Sequence, residues 1–158
     1  MTTNPVPGWT DSLPYALYRA NQAVHRRLLE AIDGMGVTIT QLGLAVHLDE
    51  LGHLSGSDLA RRFKITPQSV STALNHLERI GWVRRVPHPV HGRVIWYEVT
   101  PVGLDGVKEG RRRVASVQAE LGELIGAERM STAIERLHDL TVAVDGPDAP
   151  AEPLWPAP

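Results

Sequence analysis

Cysteine is absent from this 158-residue chain, which removes disulfides, thiol-based redox sensing, thiolate metal ligands and a cysteine nucleophile together. Also missing is any apolar run long enough to span a bilayer, and residues 1–11 lack the basic and apolar regions of a signal peptide. A cytoplasmic protein with no membrane partner is expected. The chain has no phosphate-binding glycine loop, no G-x-S-x-G elbow and no H-E-x-x-H pair, so nothing in it points to an enzyme or a cofactor. The composition, 42% hydrophobic and 22% charged, is that of an ordinary globular chain long enough for one well-filled domain.

Both ends read as tails. Residues 1–11 are rich in Thr, Asn, Pro and Gly, and residues 145–158 carry Pro147, Pro150, Pro153, Pro156 and Pro158, so neither is expected to form a regular element. Trp9 and Trp155 lie in these tails. Trp155 is read as exposed, whereas Trp9 is either exposed or an anchor.

The most informative stretch is 54–100. Ser55-Gly56-Ser57-Asp58 pairs a capping hydroxyl with a carboxylate three residues on, and opens a short helix carrying Leu59, Ala60 and Phe63 inward. The chain breaks at Lys64-Ile65 and restarts with Thr66 as N-cap and Pro67 at the first helical position. From Pro67 to Ile80, Val70, Ala73, Leu74 and Leu77 share one helical face. Gln68, Ser69, Thr72, Asn75, His76 and Arg79 gather on the other, and Gly81 ends the helix. That second face has no carboxylate. Its amides, hydroxyls and arginine suit base edges and phosphates.

Two β-rich segments follow, Trp82–Pro87 and Arg93–Thr100, joined by His88-Pro89-Val90-His91-Gly92 and carrying Arg84, Arg85 and Arg93. Helix, turn, helix and hairpin describe a winged helix-turn-helix, with the hairpin as wing. Residues 55–100 hold seven basic side chains against three acidic ones, an excess of four in a chain of net charge −2. Positive charge is thus concentrated where the motif lies.

The expected fold is mainly α with a small β-hairpin wing, a winged helix-turn-helix joined to a helical dimerisation region. Residues 12–37 form a first dimerisation helix, capped by Ser12 and ended by Gly34 and Gly36; residues 38–100 form the DNA-binding domain; residues 101–144 supply two further dimerisation helices. A Thr38/Gln41 capping pair starts a helix that props the reading head. The outer helices carry more apolar surface than so small a head can cover, so a homodimer is expected. Two-fold symmetry would set two recognition helices about 34 to 36 Å apart on a pseudo-palindromic duplex.

The DNA contacts expected are Arg61, Lys64, Thr66, Gln68, Ser69, Thr72, His76, Arg84 and Arg93. Gln68, Ser69 and Thr72 are assigned to base edges; Arg61, Lys64, Arg84 and Arg93 to the backbone. Arg111-Arg112-Arg113 point in three directions on a helix and are read chiefly as solvated. His88 and His91 have a metal-ligand spacing, but zinc needs three or four ligands, so no metal residue is assigned. Two alternatives stay open: a winged-helix protein-interaction module that does not read DNA, and a histidine-based metal-responsive regulator.

These residues resemble the MarR family of bacterial winged-helix regulators. The resemblance runs through Leu59-Ala60, Thr66 to Gly81 with its Leu77-Glu78-Arg79-Ile80-Gly81 ending, Arg93, and Thr100-Pro101-Val102-Gly103; it spans about Ser12 to Val144. Two features depart from the family pattern. His91 stands where an acidic residue often precedes the wing arginine, and Thr72 and His76 stand where basic residues are frequent. The resemblance implies a repressor released by a small aromatic or phenolic anion, bound where the dimerisation helices meet the DNA-binding lobe. Tyr15, Tyr18, Arg19 and His47 have suitable chemistry for it, although tyrosines at helical spacing also commonly finish a core or an interface.

Overall fold

A hydroxyl starts five of the six α-helices among the described residues. The computed structural model describes residues 8–146, so the expectations for residues 1–7 and 147–158, Trp155 included, lie outside the described residues. Helix α1 (Leu13–Ala31) begins on Ser12, α2 (Ile39–Leu51) on Thr38, α3 (Gly56–Phe63) on Ser55, α4 (Pro67–Arg79) on Thr66 and α5 (Pro101–Ile125) on Thr100. In each, the side-chain oxygen accepts a backbone N–H of the first turn, which satisfies one of the donors a helix start leaves orphaned. Only α6 (Ala127–Asp145) lacks such a cap, because it follows α5 directly across Gly126.

The first difference from expectation is at the N-terminus. Residues 9–11, expected to be irregular, form a single 3-10 turn, and the Trp9 ring lies 6.0 Å from Tyr15. The turn leads straight into the Ser12 cap, whose hydroxyl donates to the Trp9 carbonyl at 2.7 Å.

The second difference is a strand. Alongside β2 (Val83–Pro87) and β3 (Ile95–Val99) runs β1 (Leu54–Ser55), giving a three-stranded antiparallel sheet in the order β1-β3-β2 rather than a lone hairpin. Leu54 pairs with Tyr97 and Ser55 with Trp96. A two-residue strand carries no periodicity to read, and it forms because β3 has a second edge to satisfy. The expected strand ends at Trp82 and Arg93 are trimmed as well: Trp82 is buried beneath α5, and Arg93 belongs to the wing tip.

The core occupies the head. Leu42, Leu44, Val46 and Leu48 of α2, Leu59 of α3, and Val70, Leu74 and Leu77 of α4 meet Val83 and the start of α5 at Val107. Helix α2 is buried from Leu42 through Leu48, as befits the element at the centre. Three glycines let α5 approach. A Cβ on Gly103 would lie 2.0 Å from the Trp82 carbonyl oxygen, one on Gly106 2.3 Å from the Trp82 ring, and one on Gly110 2.4 Å from Leu42. Their spacing puts all three on one face of α5.

Beyond the head, α5 carries α1 and α6, neither of which buries a residue within the chain. The arginine run expected to be chiefly solvated ties α5 to α2 and to the end of α1. Arg111 pairs with Asp49 at 2.9 Å and Glu50 at 3.0 Å, and Arg112 and Arg113 share Glu109. Arg113 also donates to the carbonyls of Ala31 and Asp33 at 3.0 and 2.9 Å, closing the open end of α1. The two guanidinium groups hold the Glu109 carboxyl down to about 2.

Candidate nucleic-acid interface

Ser55 and Asp58 set the angle of α3. The Asp58 N–H donates to Ser55 Oγ at 3.2 Å while the Ser55 N–H and hydroxyl donate to Asp58 Oδ2 at 3.2 and 2.6 Å; these bonds hold the Asp58 carboxyl below its ordinary range. Lys64 then turns the chain in the left-handed region at φ 51°, and Ile65 N–H returns to the Ala60 carbonyl at 3.2 Å. Three residues, Lys64 to Thr66, separate the two helices. Thr66 accepts the Ser69 N–H at 3.1 Å and shares a 2.8 Å hydrogen bond with the Ser69 hydroxyl. Gly81, at φ 78°, ends the unit as expected.

The start of α4 is open. Gln68, Ser69 and Thr72 are exposed and line a depression of about 410 Å³ with Thr66, Ala73 and, from the start of α2, Thr38, Thr40 and Gln41. Those last three were missed as interface residues in the sequence. The hydroxyl run at 38–41 was legible as a helix cap, but its position beside α4 depends on how α2 packs.

Other residues expected on this face are engaged inside the molecule. His76 is turned back to the α1–α2 corner: Arg79 donates to its Nδ1 at 2.7 Å, so Nε2 carries the proton and donates to the Gly36 carbonyl at 2.8 Å. Asn75 accepts from Arg85 at 2.9 Å, and Arg85 pairs with Glu78 at 3.1 Å and lies 5.8 Å over the Tyr97 ring. Arg85 is therefore a strut between wing and recognition helix rather than part of an open charge stripe.

Most of the expected phosphate contacts also have partners. Arg61 pairs with Asp58 at 2.9 Å, and Lys64 with Asp145 at the end of α6. Arg84 pairs with Glu98, which also accepts from His53 Nε2 at 2.5 Å; Arg84 first and His53 second hold the Glu98 carboxyl below its usual range. All three cations remain exposed enough for a phosphate to compete for them. Arg93, at the wing tip, is exposed and has no hydrogen-bond or ion-pair partner among the described residues.

The residues suggested for an effector do not share a pocket, and only Tyr15 and Arg19 meet. His47 is 3% exposed, donates from Nδ1 to the Gly43 carbonyl at 3.0 Å and packs its ring edge-on to Phe63 at 4.7 Å; it is a core residue. Arg19 donates to the Tyr15 hydroxyl at 3.3 Å on the outside of α1, where Tyr18 is 58% exposed. None of the four lines the polar cavity of about 450 Å³ between α1 and α5, nor the more apolar one of about 670 Å³ beside His76. No group of three or more metal-ligating side chains is found among the described residues. No described helix is long and apolar enough to cross a membrane.

Taken with the sheet, the two capped helices and their short turn make this a winged helix-turn-helix protein. Residues 22–94 match the MarR family model. It is 33% identical over 76 residues to an HTH-type transcriptional regulator of Mycobacterium bovis, Mb0904, a match covering 48% of this chain and 53% of the relative. The chain thus spans about half the length of that relative. It is 28% identical over 116 residues to the HTH-type transcriptional repressor Rv2887 of Mycobacterium tuberculosis, covering 72% of this chain and 84% of the relative. The transcriptional repressor CouR, solved bound to a 23-mer DNA duplex, shares the fold: TM-score 0.79, 23% identity, 83% of this chain and 93% of that one. These relatives are named as transcriptional regulators and not as enzymes.

Proposed function

We propose that the protein is a transcriptional repressor that binds a pseudo-palindromic DNA operator as a homodimer. The observation that carries this reading is the open start of α4, where Gln68, Ser69 and Thr72 stand exposed beside hydroxyls of α2 while Arg93, exposed on the wing, has no partner among the described residues. It is supported by the repressor names of the relatives and by the DNA-bound form of CouR. The homodimer is supported by the uncovered apolar side chains of α1, α6 and the end of α5: Leu13, Leu29, Leu124, Ile134 and Leu137 are all exposed in the single chain.

Release by a small aromatic or phenolic anion completes this reading, and the match of residues 22–94 to the MarR family model supports it. Tyr15, Tyr18 and Arg19 contribute to such a site only where a second copy closes it; His47, inside the core, does not.

Recovery of bound genomic fragments by the purified protein tests the proposal, followed by addition of aromatic acids to find one that releases them. Log K should fall linearly with log salt, as phosphate neutralisation requires. Gln68→Ala should relax preference at one or two operator positions by about 1 to 3 kcal/mol, while Arg93→Ala weakens binding evenly across sequences. Failure to enrich any duplex sinks the regulator reading, and salt-independent capture of another protein favours an interaction module.

A further inference from the structure

The wing tip is folded around an imidazole. His88 Nδ1 lies 3.1 Å from the Val90 nitrogen and 3.0 Å from the His91 nitrogen, and both N–H groups donate to it. A ring nitrogen that accepts hydrogen bonds cannot carry a proton, so His88 is neutral here with its proton on Nε2. The backbone continues the construction: His88 N–H donates to the Val94 carbonyl at 3.1 Å, and Val94 N–H donates to the His91 carbonyl at 2.8 Å. Arg93 is therefore the third residue of a four-residue turn whose first residue, His91, is held by His88. The Trp96 ring backs the imidazole at 4.2 Å and the His91 ring lies 4.9 Å away.

We infer that His88 is the positioning residue for Arg93: as a neutral imidazole it braces the turn that presents the arginine, and protonation at Nδ1 removes the brace. The inference rests on the DNA-binding reading for its consequence, although not for the brace itself. With His91 in the place where an acidic residue was expected, this chain braces its tip with an imidazole rather than a carboxylate. The neighbouring charges do not offset the added proton. The His91 ring lies beside the His88 ring and offers no carboxylate, and Arg93 lies within the same turn. On the strand face shared with Trp96, the Glu98 carboxylate is already held by Arg84 and by His53, whose ring stacks on Trp96 at 5.3 Å.

Acidification also adds positive charge, which raises duplex affinity generally, so the informative quantity is the effect of Arg93→Ala at each pH. With the full chain and sonicated mixed-sequence duplex DNA, that substitution should weaken binding about fivefold at about pH 8 and less than about twofold at about pH 5.5. In a His88→Asn background the fivefold effect should persist at both, because an asparagine oxygen accepts the same N–H groups without titrating. His88→Leu should abolish it at both. Without DNA, the Val90 amide resonance should move with pH in a His91→Asn chain and stay flat in a His88→Asn, His91→Asn double variant. A flat Val90 amide in His91→Asn, one that still titrates in the double variant, or an Arg93→Ala effect that does not change with pH would overturn the inference. A chain that binds no duplex but shows the titrating Val90 amide removes the regulator reading and upholds the brace.

Discussion

The head and the arms of this molecule solve the problem of apolar surface in opposite ways. In the head, α2, α3, α4 and the sheet bury one another's side chains, and Leu42, Leu59 and Leu77 are fully inaccessible. In the arms, α1 and α6 bury nothing within the chain, and Leu124 and Ile134 are 69% and 52% exposed. Helix α5 belongs to both, with its glycine face in the head and its C-terminal half in the arms. A self-covered head is built to hold its shape alone, whereas arms that leave apolar side chains uncovered are what the proposed homodimer would bury. The polar groups follow the same division. Those of the head are directed at fixed internal partners, and those left over at the start of α4 and the wing tip are the ones the proposed DNA contact would use.

The sharpest way to break this contrast is to place the same substitution on each side of α5. Gly103→Ala pushes a methyl into the Trp82 carbonyl and should cost about 3 kcal/mol or more, read as a drop in the denaturation midpoint. Gly122→Ala meets only the end of the Met130 side chain, 3.2 Å away, and should be neutral or stabilising by up to about 1 kcal/mol. Equal losses at both would mean that the arms are as tightly closed as the head.

Charging the arms should separate assembly from folding. In an Ile134→Glu, Leu137→Glu double variant we expect sedimentation as a monomer, circular dichroism of a folded head, and duplex affinity reduced about 100-fold with the second half-site lost. An unchanged sedimentation coefficient would place the dimer surface elsewhere.

Lys64 sharpens the comparison within the head. As a non-glycine residue in the left-handed region it is strained, so Lys64→Gly should stabilise by about 1 kcal/mol or less while flattening the salt dependence of binding by about one phosphate. Stability rising as affinity falls would mark the lysine as kept for its charge.

The smallest effect expected is on acid stability. The Asp58 and Glu109 carboxyls titrate below their ordinary values in the folded chain, Asp58 chiefly through Ser55 and Glu109 through Arg112 and then Arg113. Their contribution is present above the unfolded values of about 4, and is lost as pH falls through the folded ones, for Glu109 at about 2. Asp58→Asn and Glu109→Gln should each make the loss of stability between about pH 5 and 2 less steep in acid titrations monitored by circular dichroism. A slope as steep as that of the wild type would exclude these carboxyls as its source.

Much of the fold was legible because its signals are local. Ser12, Thr38, Ser55, Thr66 and Thr100 announce helix starts within three residues of the groups they cap, and Gly81 announces an end by the conformation it permits. The wing was legible in outline, but β1 was not, since two residues of strand have no pattern apart from the strand they join. The site was legible in part. Gln68, Ser69 and Thr72 lie on the exposed face that helical periodicity assigns to them. The engagement of His76 with Gly36, of Asn75 with Arg85 and of Arg84 with Glu98 joins residues ten or more apart, and His47 disappears into the core against Phe63.

By itself, the sequence determined where helices begin, which of their faces are apolar, and that an excess of basic side chains surrounds the helix-turn-helix, because each follows from short-range hydrogen bonding or helical spacing. Only the tertiary structure decided which of those cations and amides stay available for a nucleic acid. A charged or polar side chain takes whatever partner the fold brings within reach, and in this chain packing brings partners to Arg61, Lys64, His76, Arg84 and Arg85 while leaving Gln68, Thr72 and Arg93 facing outward.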